Sequence, residues 1–531
     1  MPNGCPVSPP RSACYTSLTS VNMIGAECDE LDAAVPPNRC GAATAAHGRC
    51  LAHLSDDQRA QYLDALSPGS PIDARGVTFN GGLLYDLLMA LIGDNECPEV
   101  GRADFRGATF TKWANFIGAQ FNDHASFDQA TFAEGANFES TTFRDARFDE
   151  ATFAKLVSFH HVTFGIVSFR GTMFSGKARL RCSASMIDLH GTQVSGDLQL
   201  EAVANYINAG ELRASSRVSM RLRGARVDLS DAVFTASVAI HGLPDPMRDV
   251  HESGPTGPVS LTSLRGTDAD RLVLTDVDLS HCLFAGMQNL DRLRLDGRCT
   301  FASDPRGTRQ VLAEEHHWRA RQPFRKGAAW RVQPPSRPIK RRRRRSPELP
   351  YENNPIPPAR IEVLYRQLRK ALEDAKNEPG AADFYYGEME MRRASARGSG
   401  KLLLWLYWAS SGYALRARRA LSLLALLIAV TITTVTFIGF PARPTDLKAS
   451  GTLTTATGPE PVQITIHQTK PITSLPARAE NATEITLNAV IFRSADTQLT
   501  TPGRYIDIAV RILGPLFLGL SLLAIRNQVK R

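Results

Sequence analysis

Cys40, His47, Cys50 and His53 crowd one short stretch near the start of a 531-residue chain, with Cys28 upstream of them. Thiolate and imidazole are ligands that zinc prefers, and Cys50-x-x-His53 is a spacing that a zinc site uses. Four ligands at a standard finger spacing are absent. The expectation is therefore unliganded thiols in a small helical region, with zinc held by Cys40, His47, Cys50 and His53 as the alternative. Glu388 and Glu390 form a second candidate, a carboxylate pair. Residues two apart on a helix do not face each other, so a solvated or partner-facing surface is expected there instead of catalysis. The sequence holds no P-loop, no dinucleotide fingerprint in context, no HExxH and no nucleophile elbow. No catalytic residue and no cofactor is expected, and the chain reads as a non-enzyme.

Any outward-facing site must be carried by the region between residues 100 and 180, where phenylalanine falls on a lattice. The positions are Phe105, Phe110, Phe116, Phe121, Phe127, Phe132, Phe138, Phe143, Phe148, Phe153, Phe159, Phe164, Phe169 and Phe174, at steps of five or six. Two residues before each stands Ala, Val or Thr. A helix repeats at 3.6 and a strand at 2, so neither explains the period. The i−2/i pair puts both side chains on one face of a short extended segment, after which the chain turns a corner. The small residue leaves room for the large one inside a narrow tube. These rings are expected to be core packing.

The stretch ADFRGATF at 103–110 resembles the pentapeptide-repeat family, whose consensus is A(D/N)Lxx with Phe or Leu at the centre. The resemblance implies a mainly β fold, a right-handed quadrilateral β-helix with four pentads to a coil. Six-residue steps place the extra residue at a corner, outside the core. Centres continue more loosely at Leu180, Leu189, Val194, Val227, Phe234, Leu274, Leu279 and Phe284. The solenoid is assigned to 71–300, about ten coils at roughly 20 residues each, following a Cys-containing region with a short helix at 1–70. GLLYDLLMALI at 82–92 reads as a helical insertion or cap, and the Pro/Gly-rich 241–258 as an extruded corner loop.

The chain carries 62 basic and 53 acidic residues, a net charge of +9. Residues 101–300 are net −2, while 301–420 are net +14. Residues 301–358 read as a disordered Pro/Arg-rich linker holding Lys340, Arg341, Arg342, Arg343, Arg344 and Arg345. Contact with anionic lipid is expected of this run. Nucleic acid is less favoured, because no aromatics interleave with the arginines and no nucleic-acid fold accompanies them.

Residues 359–400 read as an αα-hairpin, with Ile361, Leu364, Tyr365, Leu368 and Leu372 in a stripe at helical spacing. YRQLRK, DFYYGEMEMRR and the following WLY and SGYALR segments resemble membrane-anchored pentapeptide-repeat proteins of actinobacteria. Residues 401–419 have the aromatic and basic composition of an interfacial helix. Residues 420–440 are free of charge and, at 1.5 Å per residue, about 31 Å long, enough to span a bilayer. Residues 505–531 supply a second span, interrupted by Arg511, and a basic tail. Basic flanks place both ends of this pair in the cytoplasm and 441–504 outside. The resulting expectation is a multi-pass cell-membrane protein with cytoplasmic termini, a scaffold that binds a protein partner and the lipid bilayer. An oligomeric transport or signalling component sensing through 441–504 is the alternative. Mimicry of DNA toward a topoisomerase is less favoured, since 101–300 are nearly neutral.

Overall fold

The five-residue spacing resolves into four columns of rings. Phe105, Phe127, Phe148 and Phe169 stack in one, and Phe79, Phe110, Phe132, Phe153 and Phe174 in the next. Phe116, Phe138 and Phe159 form the third, and Phe121, Phe143 and Phe164 the fourth. Within a column the centroids are 4.6–5.3 Å apart and the planes within 13° of parallel. That separation is the strand spacing, so each ring lies over its counterpart one coil away. Rings of adjacent columns meet edge to face on two sides of the tube, as Phe110 with Phe116 and Phe121 with Phe127, and tilted by 42–58° on the other two, arrangements that aromatic quadrupoles favour over a face-to-face sandwich. The residues two before the rings are buried with them. Where that residue is Thr, its hydroxyl is satisfied internally: Thr141 donates to the Phe116 carbonyl at 2.9 Å and Thr172 to Phe148 at 2.6 Å.

This computed structural model describes residues 27–28, 40–247, 257–322, 330, 356–440, 447–455, 458–466, 474–491 and 499–529. The Lys340 to Arg345 run lies outside them. The chain divides into a unit of Met1–Phe384 and a unit of Tyr385–Arg531. The first is a β-solenoid of about nine turns. Its strands pair in parallel, coil on coil. One column runs through Phe110, Phe132, Phe153, Phe174, Val194, Ala214 and Phe234, each paired in register with the next. Its steps shorten slightly along the chain and become even beyond Phe174. Extra residues leave the ladder as bulges, at His161 and between Phe121 and His124. Bulges of this kind add a residue without turning the inward set outward. The looser centres from Leu180 to Phe284 are all buried.

Close stacking constrains the corners. A Cβ on Gly196 would lie 2.1 Å from the Gly176 carbonyl oxygen, one coil earlier. Gly196→Ala is expected to cost about 1–3 kcal/mol, read as a shift in denaturant unfolding of the full chain, because the Cβ would also meet the Gly176 carbonyl carbon at 2.3 Å, and backbone cannot swing aside as a flexible side chain can.

Short helices and turns flank the coils. Helix α1 (Asp56–Asp64) begins at a capping box, with Ser55 accepting from the Gln58 amide. Helix α2 (Gly81–Met89) is inserted between Phe79 and Phe110, which makes that first column step longer than those after it. It buries Leu83, Leu84, Leu87 and Leu88. At the C-terminal end, the expectation of a linker from 301 is corrected. Phe301 is buried, Ala302–Ser303 pair antiparallel with Gln310–Val311, and helix α3 (Ala313–Ala320) follows. These residues close the last coil, whose edge amides need acceptors. Helices α4 (Pro358–Asp374) and α5 (Glu378–Ser395) come next.

The second unit contains α6 (Gly398–Ser411), α7 (Ala417–Thr434, extended by a π turn at Val435–Gly439), α8 (Leu475–Val490) and α9 (Thr501–Val529). A two-stranded hairpin, Leu447–Thr455 with Gly458–Ile466, precedes α8. Two stretches, Ala417–Gly439 and Thr501–Arg526, are long and apolar enough to cross a membrane. Their threonines bond back along the helix, Thr431 to the Leu427 carbonyl and Thr436 to Ile432, both at 2.7 Å, so the hydroxyls need no water.

Candidate functional site

The solenoid interior is filled by side chains, so chemistry is confined to its ends and its outer faces. At the N-terminal end, Cys28, Cys40, Cys50 and His53 converge, with all four ligand atoms within 4.8 Å of one another. The Cys40 and Cys50 sulfurs are 3.7 Å apart. His53 Nδ1 lies 3.3 Å from Cys50 Sγ and 3.6 Å from Cys28 Sγ. The amide of Ala42 points at Cys40, and those of Ala52 and His53 at Cys50. Burial pushes the Cys50 thiol up to about 12 in the absence of a cation, against these amides.

Three of the four sequence candidates are therefore in the cluster and one is not. His47 sits exposed in a turn at φ 51°, outside the group, and Cys28 takes its place. The helical surroundings expected for these thiols are also corrected. Residues 40–54 form turns and isolated bridges, and the helix begins only at Asp56. This segment lies on the solenoid's first coil: the Ala43 amide donates to the Arg75 carbonyl at 2.7 Å, and Ala42, Leu51 and Leu54 are buried.

The C-terminal end is closed by two adjacent carboxylates that sequence reasoning did not single out. Glu314 accepts from the amides of Phe284 and Ala285 in the last coil. Burial pushes its carboxyl up to about 7, against those amides. Glu315 meets Arg309 and Arg319 and receives the Tyr365 hydroxyl. Tyr365 in turn accepts from the Leu312 amide at 2.9 Å. Because Glu314 titrates higher folded than unfolded, its contribution to stability is complete below pH about 4.5 and is lost as pH rises through 7. Glu314→Gln keeps an acceptor for both amides and cannot ionise. The variant is expected to match wild type in acid and to exceed it above pH 7 by up to about 3 kcal/mol, in thermal unfolding of the full chain across pH.

On the outer faces, Asp or Asn one residue before a core position bonds its own chain two residues on. Asp104, Asn137, Asp188, Asn208, Asp228 and Asp278 each accept such an amide. These Asx turns make the corners. Outward charges pair between coils, as Arg147 with Asp128 at 3.2 Å and Arg221 with Glu201 at 3.0 Å.

Parallel coils, four ring columns and Asx corners describe one repeat architecture. The family model for Pentapeptide repeats (9 copies) matches residues 100–142 and 138–181. The chain carries pentapeptide repeats. No curated protein and no solved structure matches it. The pentapeptide-repeat solenoid continues well past the matched residues, to Arg294–Asp296, where Leu and Val replace Phe.

In the second unit, the solvated or partner-facing surface expected for Glu388 and Glu390 is corrected. Both are buried. Glu390 pairs with Arg393 at 2.9 Å and receives the Tyr413 hydroxyl at 3.1 Å. The Tyr413 ring packs against Tyr386 and Tyr407, at 5.3 and 5.5 Å, contacts from other parts of the chain that a spacing argument on one helix does not see. Arg393 and Arg419 lie over the Trp408 ring, at 4.7 and 5.3 Å. Arg511 pairs with Asp507 one turn away at 2.9 Å, which lowers the cost of a charge in an apolar helix.

Proposed function

We propose that the chain is a membrane-anchored, non-enzymatic scaffold whose pentapeptide-repeat solenoid offers a rigid surface to a protein partner on the cytoplasmic side. The observation that carries this reading is the contrast between inside and outside. The solenoid encloses stacked rings and leaves its polar faces for contact, while the two long apolar helices expose Leu426, Val430, Phe437, Ile512, Leu516 and Leu522. Lipid is the solvent that suits such side chains. Helix α6 adds exposed Leu402, Leu403, Trp405 and Leu406 beside Lys401, the composition of a helix lying at the headgroups. Arg416, Arg418 and Arg419 around the start of α7, and Arg526, Lys530 and Arg531 at the other flank of the pair, favour a cytoplasmic solenoid. The Lys340 to Arg345 run suits anionic lipid on that same side. The full chain should stay with membranes through alkaline carbonate extraction, and proximity labelling from its solenoid should return cytoplasmic proteins. Release into the carbonate supernatant would remove the anchor, and labelling of extracytoplasmic proteins would reverse the orientation.

A second reading, an oligomeric transport component, is favoured by the place of α8. Ala482 and Ile485 pack with Val435 and Phe440, while Ala489 and Val490 pack with Leu424 and Val510. Helix α8 thus runs beside the apolar helices from the Phe440 end to about their middle. By Thr500 the chain is back at Gly439, its amide 2.9 Å from that carbonyl. A short helix that enters and returns between two spans lines a pore when several copies surround an axis. Cross-linking in intact membranes to a ring of fixed size supports this reading, and a monomer excludes it.

A further inference from the structure

We propose that Cys28, Cys40, Cys50 and His53 bind one zinc ion, and that this ion fastens the N-terminal cap onto the first coil of the solenoid. Zinc–sulfur bonds of about 2.3 Å and zinc–nitrogen bonds of about 2.0–2.1 Å, at tetrahedral angles, set ligand edges of about 3.8 Å between sulfurs and about 3.5 Å between sulfur and nitrogen. The observed edges are 3.7 Å for Cys40 to Cys50, 3.3 Å for Cys50 to His53 and 3.6 Å for Cys28 to His53. The remaining edges are all within 4.8 Å, so the four ligand atoms gather around a space for one cation.

The donor set selects the metal class. Three thiolates and one imidazole are soft to borderline ligands, which favour zinc over magnesium or calcium. All four positions are protein atoms, so the site is closed, as structural zinc sites are and catalytic ones are not. Amides of Ala42, Ala52 and His53 directed at the sulfurs supply the outer hydrogen bonds that thiolate ligands need. Binding releases the three thiol protons to solvent and leaves the metal divalent. No redox partner is required.

The same residues explain why a cap needs a metal. The segment 40–54 has turns and bridges but little core of its own, and Cys28 joins it from further up the chain. Its contacts with the coil include the Ala43 to Arg75 hydrogen bond and Ala42 against Gly76, where a Cβ would lie 3.2 Å from the Ala42 Cα. A cross-link through zinc supplies the organisation that so small an apolar cluster lacks.

The test uses the full chain purified in detergent without chelator. Metal analysis should find about one zinc per chain. Cys28→Ser and Cys50→Ser should lower it at least tenfold, while His47→Ala, one of the alternative ligands by sequence, should leave it unchanged. His53→Cys should retain zinc, since four thiolates also bind it. Replacement by cobalt should give the intense visible bands of a tetrahedral thiolate site, altered in His53→Cys. On wild type, where folding is not in question, chelation should expose Cys28, Cys40 and Cys50 to thiol reagents, and added zinc should protect them again. A metal-free wild type that fails to give tetrahedral cobalt spectra would overturn the proposal. So would stoichiometric iron in place of zinc, or equal loss from His47→Ala and His53→Ala.

Discussion

Phe138→Ala should destabilise the solenoid by about 3–5 kcal/mol, the upper range for emptying a core ring. Phe138 is fully buried between Phe116 and Phe159, with centroids at 4.9 and 4.8 Å and planes within 3° of parallel. It also meets Phe127, Phe132 and Phe148 at 5.8, 6.0 and 5.6 Å. The size of the effect follows from what can relax. A cavity in an ordinary core shrinks as its neighbours shift, but here each neighbouring ring is fixed at the strand spacing by the ladder that holds its backbone. Ala136 pairs with Ala114 before it and Val157 after it, so the wall on that side cannot move inward without breaking hydrogen bonds in two coils. Each coil touches only its neighbours, so the loss concentrates at one interface and weakens the array there. Phe138→Leu should cost less, because the later coils place Leu180, Leu200, Met220 and Ile240 in the same column. Denaturant unfolding of the full chain, followed by its β signal, measures both variants. A cost for Phe138→Ala below that of Phe138→Leu would mean the rings are not the element that holds the coils together.

The ring columns were legible in the sequence because one residue type recurs at a period that no helix or strand produces. The corners were less so, although the Asp or Asn of each repeat is printed beside the core residue. Its role as a turn-maker depends on a bond to its own chain two residues on, and composition does not display that. Column steps vary before Phe174 and are even from Phe174 through Val194 and Ala214 to Phe234, so the lattice becomes more regular even as its aromatics disappear. Phenylalanine was the visible marker, and the register is what persists. The Cys/His cluster was half legible for a related reason. His47 lies near the other candidates in sequence but is not among the converging ligands, whereas Cys28 is remote in sequence and adjacent in space. Chain proximity is a fair guide within one turn and a poor one across a loop. The linker expectation failed at its start because Arg306, Arg309, Arg319 and Arg321 raise the charge of 301–322, yet Arg309 is buried against a carboxylate. Counting charges does not reveal which are paired.

Arg309 and its partner also carry the second large effect. Glu315→Ala should cost about 3–5 kcal/mol, because it leaves a buried guanidinium without its counter-ion. Glu315 is fully enclosed, and burial alone would raise its carboxyl. Arg309 and Arg319 overcome that and hold it down to about 2. The stability it contributes is therefore present above the unfolded value of about 4.5 and lost as pH falls toward 2, the reverse of its neighbour Glu314. One helix thus places side by side a carboxyl that burial protonates and a carboxylate that arginine ionises. The difference lies in the partner: backbone amides for Glu314, two guanidinium groups for Glu315. A second experiment separates the worth of the pair from the cost of breaking it. Arg309→Met with Glu315→Leu removes both charges together, and such replacements recover much of the loss when the pair's attraction only offsets its desolvation. The double variant should be well above Glu315→Ala in stability, though the Tyr365 hydroxyl would lose its carboxylate acceptor and keep a residual deficit. Full recovery would mean that the Tyr365 hydrogen bond contributes nothing. No recovery would mean that the ion pair is itself the tie between the end of the solenoid and the helix that bears Tyr365.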